Sequence, residues 1–392
     1  MKNLRKDRGT DPKTDKRIKP RRGPVDFILL ANTMILVLFG LLMVYSASWP
    51  TGVYDYNDGL FFFKSQIRAA VIGLGLMILT MNLDYRVYKK LGPMMFVFAL
   101  LTGLLIFTPL GDESYGATRW IKLGPIGFMP SDLIKVASVI FFANVLAANK
   151  NLNRKFIKGT LRISIMFMIP IFIIYLSKDL STPLILLMAL FSMFFAAGLN
   201  MGHIIPIVVS LGAIIYKFAL DPNKYAYRLE RIMSVYSSDQ SAYSLNIRWQ
   251  LNHSLYALGI GGLSGAGLGR STQKYTYLSF AYNDFIYAVI GEEFGFIGTV
   301  IVLILFGLLI IRGVRIATLL KDPAGKYMAI GLTSLIGFQA LINMSVVIGL
   351  IPTTGVTLPF FSQGGTSLMV TMAAMGVLLN ISRYIESKDG EK

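Results

Sequence analysis

Apolar runs close to twenty residues long recur along this chain, and nothing else in the sequence restricts its fold as strongly. They occupy residues 26–48, 66–83, 92–109, 131–148, 160–177, 182–199, 204–220, 285–311, 327–349 and 366–382. A helix needs about 20 predominantly apolar residues to cross the hydrocarbon of a bilayer. Hydrophobic residues make up 54% of the chain, charged residues 15%, and mean hydropathy is +0.59, which exceeds what a soluble core requires. The expected fold class is therefore an all-α integral membrane protein of about ten transmembrane helices. Its membrane domain would span 26–383, between a disordered basic tail at 1–25 and a short tail at 384–392. The fifth and sixth runs are separated only by "SKDLST", where Lys178 and Asp179 favour a tight hairpin over an irregularity inside one long buried segment.

Lys and Arg gather in "MKNLRKDRGTDPKTDKRIKPRRG", "DYRVYKK", "NKNLNRKFIKGTLR", "RGVRIATLLKDPAGK" and "SRYIESKDGEK". With ten spans all five fall on one side, so both termini are expected in the cytoplasm of a multi-pass plasma-membrane protein. The connections at 49–65, 110–130, 178–181, 221–284 and 350–365 then face outward. The net charge of +17 reads as an orientation signal and a ligand for anionic membrane lipids, not as a nucleic-acid surface. The first run is too long for a signal-peptide core, and the absence of cysteine excludes disulfides.

Four polar stretches interrupt this pattern. The large outer loop, 221–284 between helices 7 and 8, sets Asp221, Glu230, Asp239 and Asp284 against Lys224, Arg228, Arg231, Arg248, Arg270 and Lys274. An outward excess of cations suits an anion such as a diphosphate. Within that loop, "IRWQLNHSLYALGIGGLSGAGLG" fits either an interfacial or an ordinary surface helix. The following "GIGGLSGAGLGRSTQK" is either an anion-cradling turn beside Arg270 and Lys274 or a flexible loop, and it lacks the ending of a P-loop. In "GATRWIKLGPIGFMPSDLIKVAS", Arg119, Trp120 and Lys122 are interfacial anchors, Ser131 is a candidate helix cap, and Asp132 can pair with Lys135. Lys135 lies about one turn inside a span, where a lysine is a functional candidate by default. In "AYNDFIYAVIGEEFGFIG", the carboxylates Asp284, Glu292 and Glu293 enter an apolar run. Finally, "NMSVVIGLIPTTGVTLPFFSQGGTS" is a rigid irregular loop that requires protein or water around it. His203 and His253 have no partners at metal-ligand spacing, so no metal site is expected.

The pieces "GATRWIKLG" with "PSDLIK", "DLST", "YRLERI", "GLGRSTQKYTYL", "DFIYAVIGEEFGFIG" and "PTTGVTLPFFSQGGTS" follow one another in the order of the SEDS family. Over nearly all of its length beyond the tail, the chain resembles FtsW, RodA and SpoVE, and is most like the FtsW and SpoVE branches. The resemblance implies a ten-span fold and a peptidoglycan glycosyltransferase that polymerises lipid II at the outer face of the plasma membrane. It also implies a class B penicillin-binding protein as partner, together with other division or elongation proteins.

Asp284 matches the essential acid of the family and would be the general base. Undecaprenyl diphosphate would leave against Arg119, Lys135, Arg270 and Lys274, although Lys135 could instead pair with Asp284. Asp179 and Thr182 match a "PDLGT" motif, either at a cavity rim or in a stabilised hairpin. Ser362, Gly364 and Gly365 of "FSQGGTS" complete the expected substrate-binding set. Glu292 and Glu293, about 12 Å deeper by helical rise, are expected to be structural, with Gly291 and Gly295 allowing close helix contact. Any Mg²⁺ or Mn²⁺ would be held mainly by the substrate diphosphates. The chain reads "LSFAYNDF" where the family pattern is "LPEAHTDF", so Ser279, Phe280, Tyr282 and Asn283 replace the usual neighbours of the acid. A lipid II transporter and a non-catalytic scaffold for the penicillin-binding protein are the competing readings.

Overall fold

A computed structural model describes residues 23–114, 117–123, 126–149, 160–177, 179, 181–198, 202 and 242–385. The expected span at 204–220, His203, the loop to residue 241 and both tails beyond these limits lie outside the described residues. Among the described residues, seven helices are long and apolar enough to cross a membrane: α1 (Phe27–Tyr56), α2 (Phe61–Asn82), α3 (Tyr85–Leu104, continued by one 3₁₀ turn to Phe107), α4 (Pro130–Ala148), α9 (Ile286–Leu319), α10 (Pro323–Val347) and α11 (Gly365–Ser382). Two shorter apolar helices, α5 (Arg162–Leu176) and α6 (Ser181–Ala196), pack against each other as a hairpin. The protein is a multi-pass membrane protein. Helix α7 (Ala242–Gly261) and the single turn α8 (Gln273–Thr276) precede α9.

Carboxylates start several helices, as orphan N–H groups require. Asp26 accepts from Leu29 N, Asp84 from Arg86 N, and Asp322 from Gly325 N with Pro323 at the first helical position. Ser131 does not cap α4 as expected. Pro130 begins the helix after Met129, and the Ser131 hydroxyl is buried without a partner among the described residues.

Helices α10, α11 and α4 form the interior, being 72%, 67% and 61% buried, whereas α2 and α3 are 28% buried and form the outside. Without a hydrophobic drive between helices in lipid, small residues and side-chain amides must hold the interior together. Asn380 donates to Met81 O at 2.6 Å and Asn32 to Leu305 O at 3.0 Å. The two ends of the described bundle meet, because Gly23 N donates to Arg383 O and Asp26 N to Ser382 Oγ at 3.0 Å, and Asp26 also pairs with Arg312.

One element escaped the helical pattern. Strands β1 (Gly111–Ser114), β2 (Ala117–Leu123) and β3 (Ile126–Phe128) form an antiparallel sheet in the order β1-β2-β3. Ile121 pairs with Gly111 on one side and Phe128 on the other. Each strand is too short to impose a visible alternation, and a bulge at Asp112/Glu113 interrupts the first. Lys122 pairs with Asp112 at 2.8 Å across this sheet.

Helix α9 is broken at Gly295, whose φ of 67° is left-handed and non-helical. The glycine-rich stretch after α7 fills the break. Phe296 N donates to Gly262 O and Ile297 N to Leu263 O, while Glu292 O accepts from Ala266 N and Glu293 O from Gly267 N. Residues 262–267 thus replace the missing rungs of a membrane helix. A Cβ on Gly295 would collide with Gly265 N and lie 2.5 Å from Leu263 O. Gly295→Ala should lower stability by about 2–3 kcal/mol or more, through left-handed strain and the clash together. Gly307→Ala, with nothing within 4 Å of the added methyl, should be neutral or slightly stabilising. Thermal unfolding in detergent compares the two.

Candidate functional site

Asp284 ends the segment that leads into α9 and is half-buried. Three successive carbonyls position it. Tyr282 O accepts from Gln363 N at 2.9 Å, Asn283 O from Ser362 Oγ at 2.7 Å, and Asp284 O from Asn343 Nδ2 at 2.7 Å. Ser362 Oγ also accepts from Leu358 N at 2.7 Å, which folds the loop between α10 and α11 back on itself. Gln66 of α2 then clamps that loop, donating to Ser362 O at 3.2 Å and accepting from Gly364 N at 3.1 Å. The proline-rich loop thus grips the acid through its backbone.

Opposite the carboxylate stands Gly355, with a φ of 72°. A methyl placed there would lie 3.4 Å from Asp284 Oδ2 and 3.9 Å from Arg119 Nη1. The acid and the guanidinium therefore flank one bare patch of backbone. Arg119 comes from β2, so the sheet that sequence periodicity missed is what delivers this cation. Its Nε lies 3.9 Å from Asp179 Oδ2.

Asp179 has a second task at the start of α6. Its Oδ1 accepts from Ser181 N at 3.0 Å and Thr182 N at 3.3 Å, and its Oδ2 accepts from Thr182 Oγ1 at 2.7 Å. Ser181 Oγ donates to Thr354 O at 2.8 Å, tying this hairpin to the same loop. Asp179 and Thr182 thus brace the start of α6, as the hairpin reading requires. Lys135 is buried in α4, bound to Asp132 at 2.9 Å as the i,i+3 spacing suggested and to Gln339 Oε1 at 3.1 Å. Asp132 Oδ2, Asn283 Oδ1, Thr353 Oγ1 and Thr354 Oγ1 are buried with no hydrogen-bond partner among the described residues. Such atoms leave capacity for a polar ligand at the cluster.

Lys274 stands elsewhere. Its ammonium, 2% exposed, contacts Glu293 at 2.6 Å and Ser46 Oγ at 2.9 Å, and Ser46 Oγ donates to Glu293 at 2.6 Å. The expectation that Lys274 meets a substrate phosphate is corrected by this burial: its charge is already compensated inside the bundle. Arg270 is exposed and follows the glycine-rich stretch, its N–H donating to Gly267 O at 3.1 Å.

The anion-cradling turn does exist, but its anion is internal. Glu292 accepts from Ser271 Oγ at 2.5 Å, Thr272 N at 2.7 Å, Thr272 Oγ1 at 2.8 Å and Gln273 N at 3.3 Å. Both glutamates are structural, as expected, and together they fasten residues 271–274 to α9 and α1. His253 Nδ1 meets Gln273 Oε1 at 2.7 Å, and its ring stacks on Tyr277. No group of three or more His, Cys, Asp or Glu side chains suited to a metal is present among the described residues.

Removing one partner of a buried ion pair leaves the other charge uncompensated, which costs about 3–5 kcal/mol. Glu293→Ala should therefore destabilise by about that amount, and adding Lys274→Met should recover most of it. Unfolding midpoints of the single and double variants form the cycle that checks this.

The family model described as a cell cycle protein, covering FtsW, RodA and SpoVE, matches residues 27–387. A probable peptidoglycan glycosyltransferase FtsW from Geobacter sp. (strain M18) is 38% identical over 359 residues, covering 91% of this chain and 96% of that protein. Stage V sporulation protein E of Bacillus subtilis is 37% identical over 361 residues, covering 92% and 97%. Among solved structures, one concerning the coordination of polymerization and crosslinking by a peptidoglycan synthase complex aligns with a TM-score of 0.75 and 25% identity, covering 92% of this chain and 98% of that one. The rod shape determining protein RodA of Thermus thermophilus aligns at 0.68 and 25% identity, covering 93% and 98%.

Proposed function

This chain belongs to the FtsW/RodA/SpoVE family, and from that premise we propose that it polymerises lipid II, with Asp284 as general base. It is a peptidoglycan glycosyltransferase, as its curated relatives are named. The observation that carries the assignment of the base is the setting of Asp284. Its carboxylate faces a patch of bare backbone at Gly355, with the Arg119 guanidinium against the same patch.

A sugar hydroxyl can approach a carboxylate across a glycine where any side chain would block it. In the reaction, the 4-hydroxyl oxygen of the acceptor lipid II attacks the anomeric carbon of the growing chain. Its proton passes to the Asp284 carboxylate as the new C–O bond forms. The bond from the anomeric carbon to the undecaprenyl diphosphate breaks, and the electron pair leaves with the diphosphate. Arg119, braced by Asp179, is the cation best placed to meet that charge, because a preoriented donor stabilises a departing anion more than water does. Lys135, its charge paired with Asp132, is held against the same loop through Gln339 and would act on the site from behind it. Ser362 and Gly364, both held by Gln66, and Gly365 at the start of α11 would complete the substrate-binding set. Any Mg²⁺ or Mn²⁺ would be carried by the diphosphates.

In this reading Asp284, the sheet and the loop between α10 and α11 face the outside of the bacterial plasma membrane, and both termini lie in the cytoplasm. The product strand is crosslinked by a class B penicillin-binding protein bound alongside.

Asp284→Ala should abolish polymerisation of purified lipid II, a loss of at least about 10²-fold, while protein abundance and partner binding persist. Polymerisation retained by that variant would refute the assignment. Lipid II transfer across vesicle membranes without polymer would favour a transporter, and complementation of a deletion by Asp284→Asn would favour a scaffold.

A further inference from the structure

Two side-chain amides on α10 connect the charged groups of the site. Gln339 and Asn343 are four residues apart, so they share one face of the helix. They are 7% and 1% exposed. Each donates to one of two successive carbonyls in the loop after α10: Asn343 Nδ2 to Val356 O at 2.6 Å, and Gln339 Nε2 to Thr357 O at 3.1 Å. Each also reaches a charged residue on another element. Gln339 Oε1 accepts from Lys135 Nζ at 3.1 Å, and Asn343 Nδ2 donates to the Asp284 carbonyl at 2.7 Å.

These four bonds have a geometric consequence. Helical rise separates the two anchor points by about 6 Å along α10, and that distance is fixed by backbone rather than by loop conformation. Asn343 holds both the backbone of the acid and the residue next to Gly355, so it sets the gap between the Asp284 carboxylate and its bare wall. Gln339 sets the Lys135 ammonium against the same stretch of loop. Amides do this without adding charge, whereas an ionic clamp would perturb the base.

We propose that Gln339 and Asn343 are positioning residues for the transfer reaction, holding the base and the buried lysine in register along α10. The inference rests on Asp284 being the base. It adds that the reaction depends on two uncharged side chains that touch neither substrate nor proton.

The test is polymerisation of lipid II by the purified protein with its partner, with kcat and KM determined separately and the unfolding midpoint measured for each variant. A misplacement of about 1 Å can cost on the order of 10²-fold in rate. Asn343→Leu, which keeps the volume and removes both donors, should lower kcat by about that factor with KM within about twofold. Gln339→Leu should lower kcat by about tenfold, because it acts on the cation and not on the base. Asn343→His, which retains one N–H donor, should recover part of the loss. A KM that rises while kcat holds, a rate loss matching only the loss of folded protein, or equal impairment in the Leu and His variants would overturn the proposal. If Asn343→Leu does not accumulate, Gln339→Leu and Asn343→His carry the same comparison. Asp284→Asn runs in parallel: polymerisation by that variant would refute the base assignment itself, whereas an inactive Asp284→Asn beside a fully active Asn343→Leu would refute only the positioning role.

Discussion

Backbone groups without partners are expensive in hydrocarbon, several kcal/mol each, and α9 opens its own hydrogen-bond ladder at Gly295. Much of the surrounding architecture follows from that opening. The stretch 262–267 must supply the missing partners, so α7 must end beside α9. The next residues, 271–274, are then carried past Glu292 and Glu293, which bind them by five direct contacts from hydroxyl, amide and ammonium groups. The segment that arrives at Asp284 is fixed at its start by these carboxylates. It is fixed at its end by Gln363, Ser362 and Asn343. Of the three acids of one apolar run, two thus hold the segment in place, and the third, Asp284, is itself held by its backbone.

Charge within the bundle follows a consistent arrangement. Lys274 with Glu293, Lys135 with Asp132, and Arg312 with Asp26 each join opposite charges at positions that are wholly or largely buried. Such pairs add little net stability over apolar packing but are severe to disrupt singly. Arg119 and Asp284 differ from them. Arg119 is 29% exposed in its side chain, with Nε 3.9 Å from Asp179 Oδ2, and Asp284 is half-buried beside it. Partial exposure next to buried hydroxyls that lack partners among the described residues distinguishes the candidate site from the structural pairs around it.

Much of this was legible in the residues. Among the described residues the long apolar helices fall where the apolar runs predicted, because burial in lipid leaves few alternatives to a helix. Ends were less visible: α1 continues to Tyr56 and α9 to Leu319, well beyond the apolar runs. The sheet around Arg119 escaped because strands of three to seven residues carry too little periodicity. The sequence around 259–274 suggested a cradle for an anion, and the donors are indeed there; nothing local could show that Glu292, nearly twenty residues later, would fill it. Gln339 and Asn343 had a signal that went unused. Two amides four apart in a span mark a polar stripe, and in lipid such a stripe must face protein.

The break in α9 has one more implication, which concerns the bilayer. Bilayers differ in thickness, and long helices adapt by tilting. An unbroken helix of 34 residues would be about 51 Å long, and any tilt at the Arg312 end would be transmitted along it to Asp284. Here the upper limb, from Ile286 to Phe294, is fastened to the loop segments, and Gly295 separates it from the lower limb. Residues 262–267 bond to both limbs, Ala266 N and Gly267 N to the turn before the break and Gly262 O and Leu263 O to the turn after it, so load between the two halves passes through the glycine-rich stretch and not along one continuous rod.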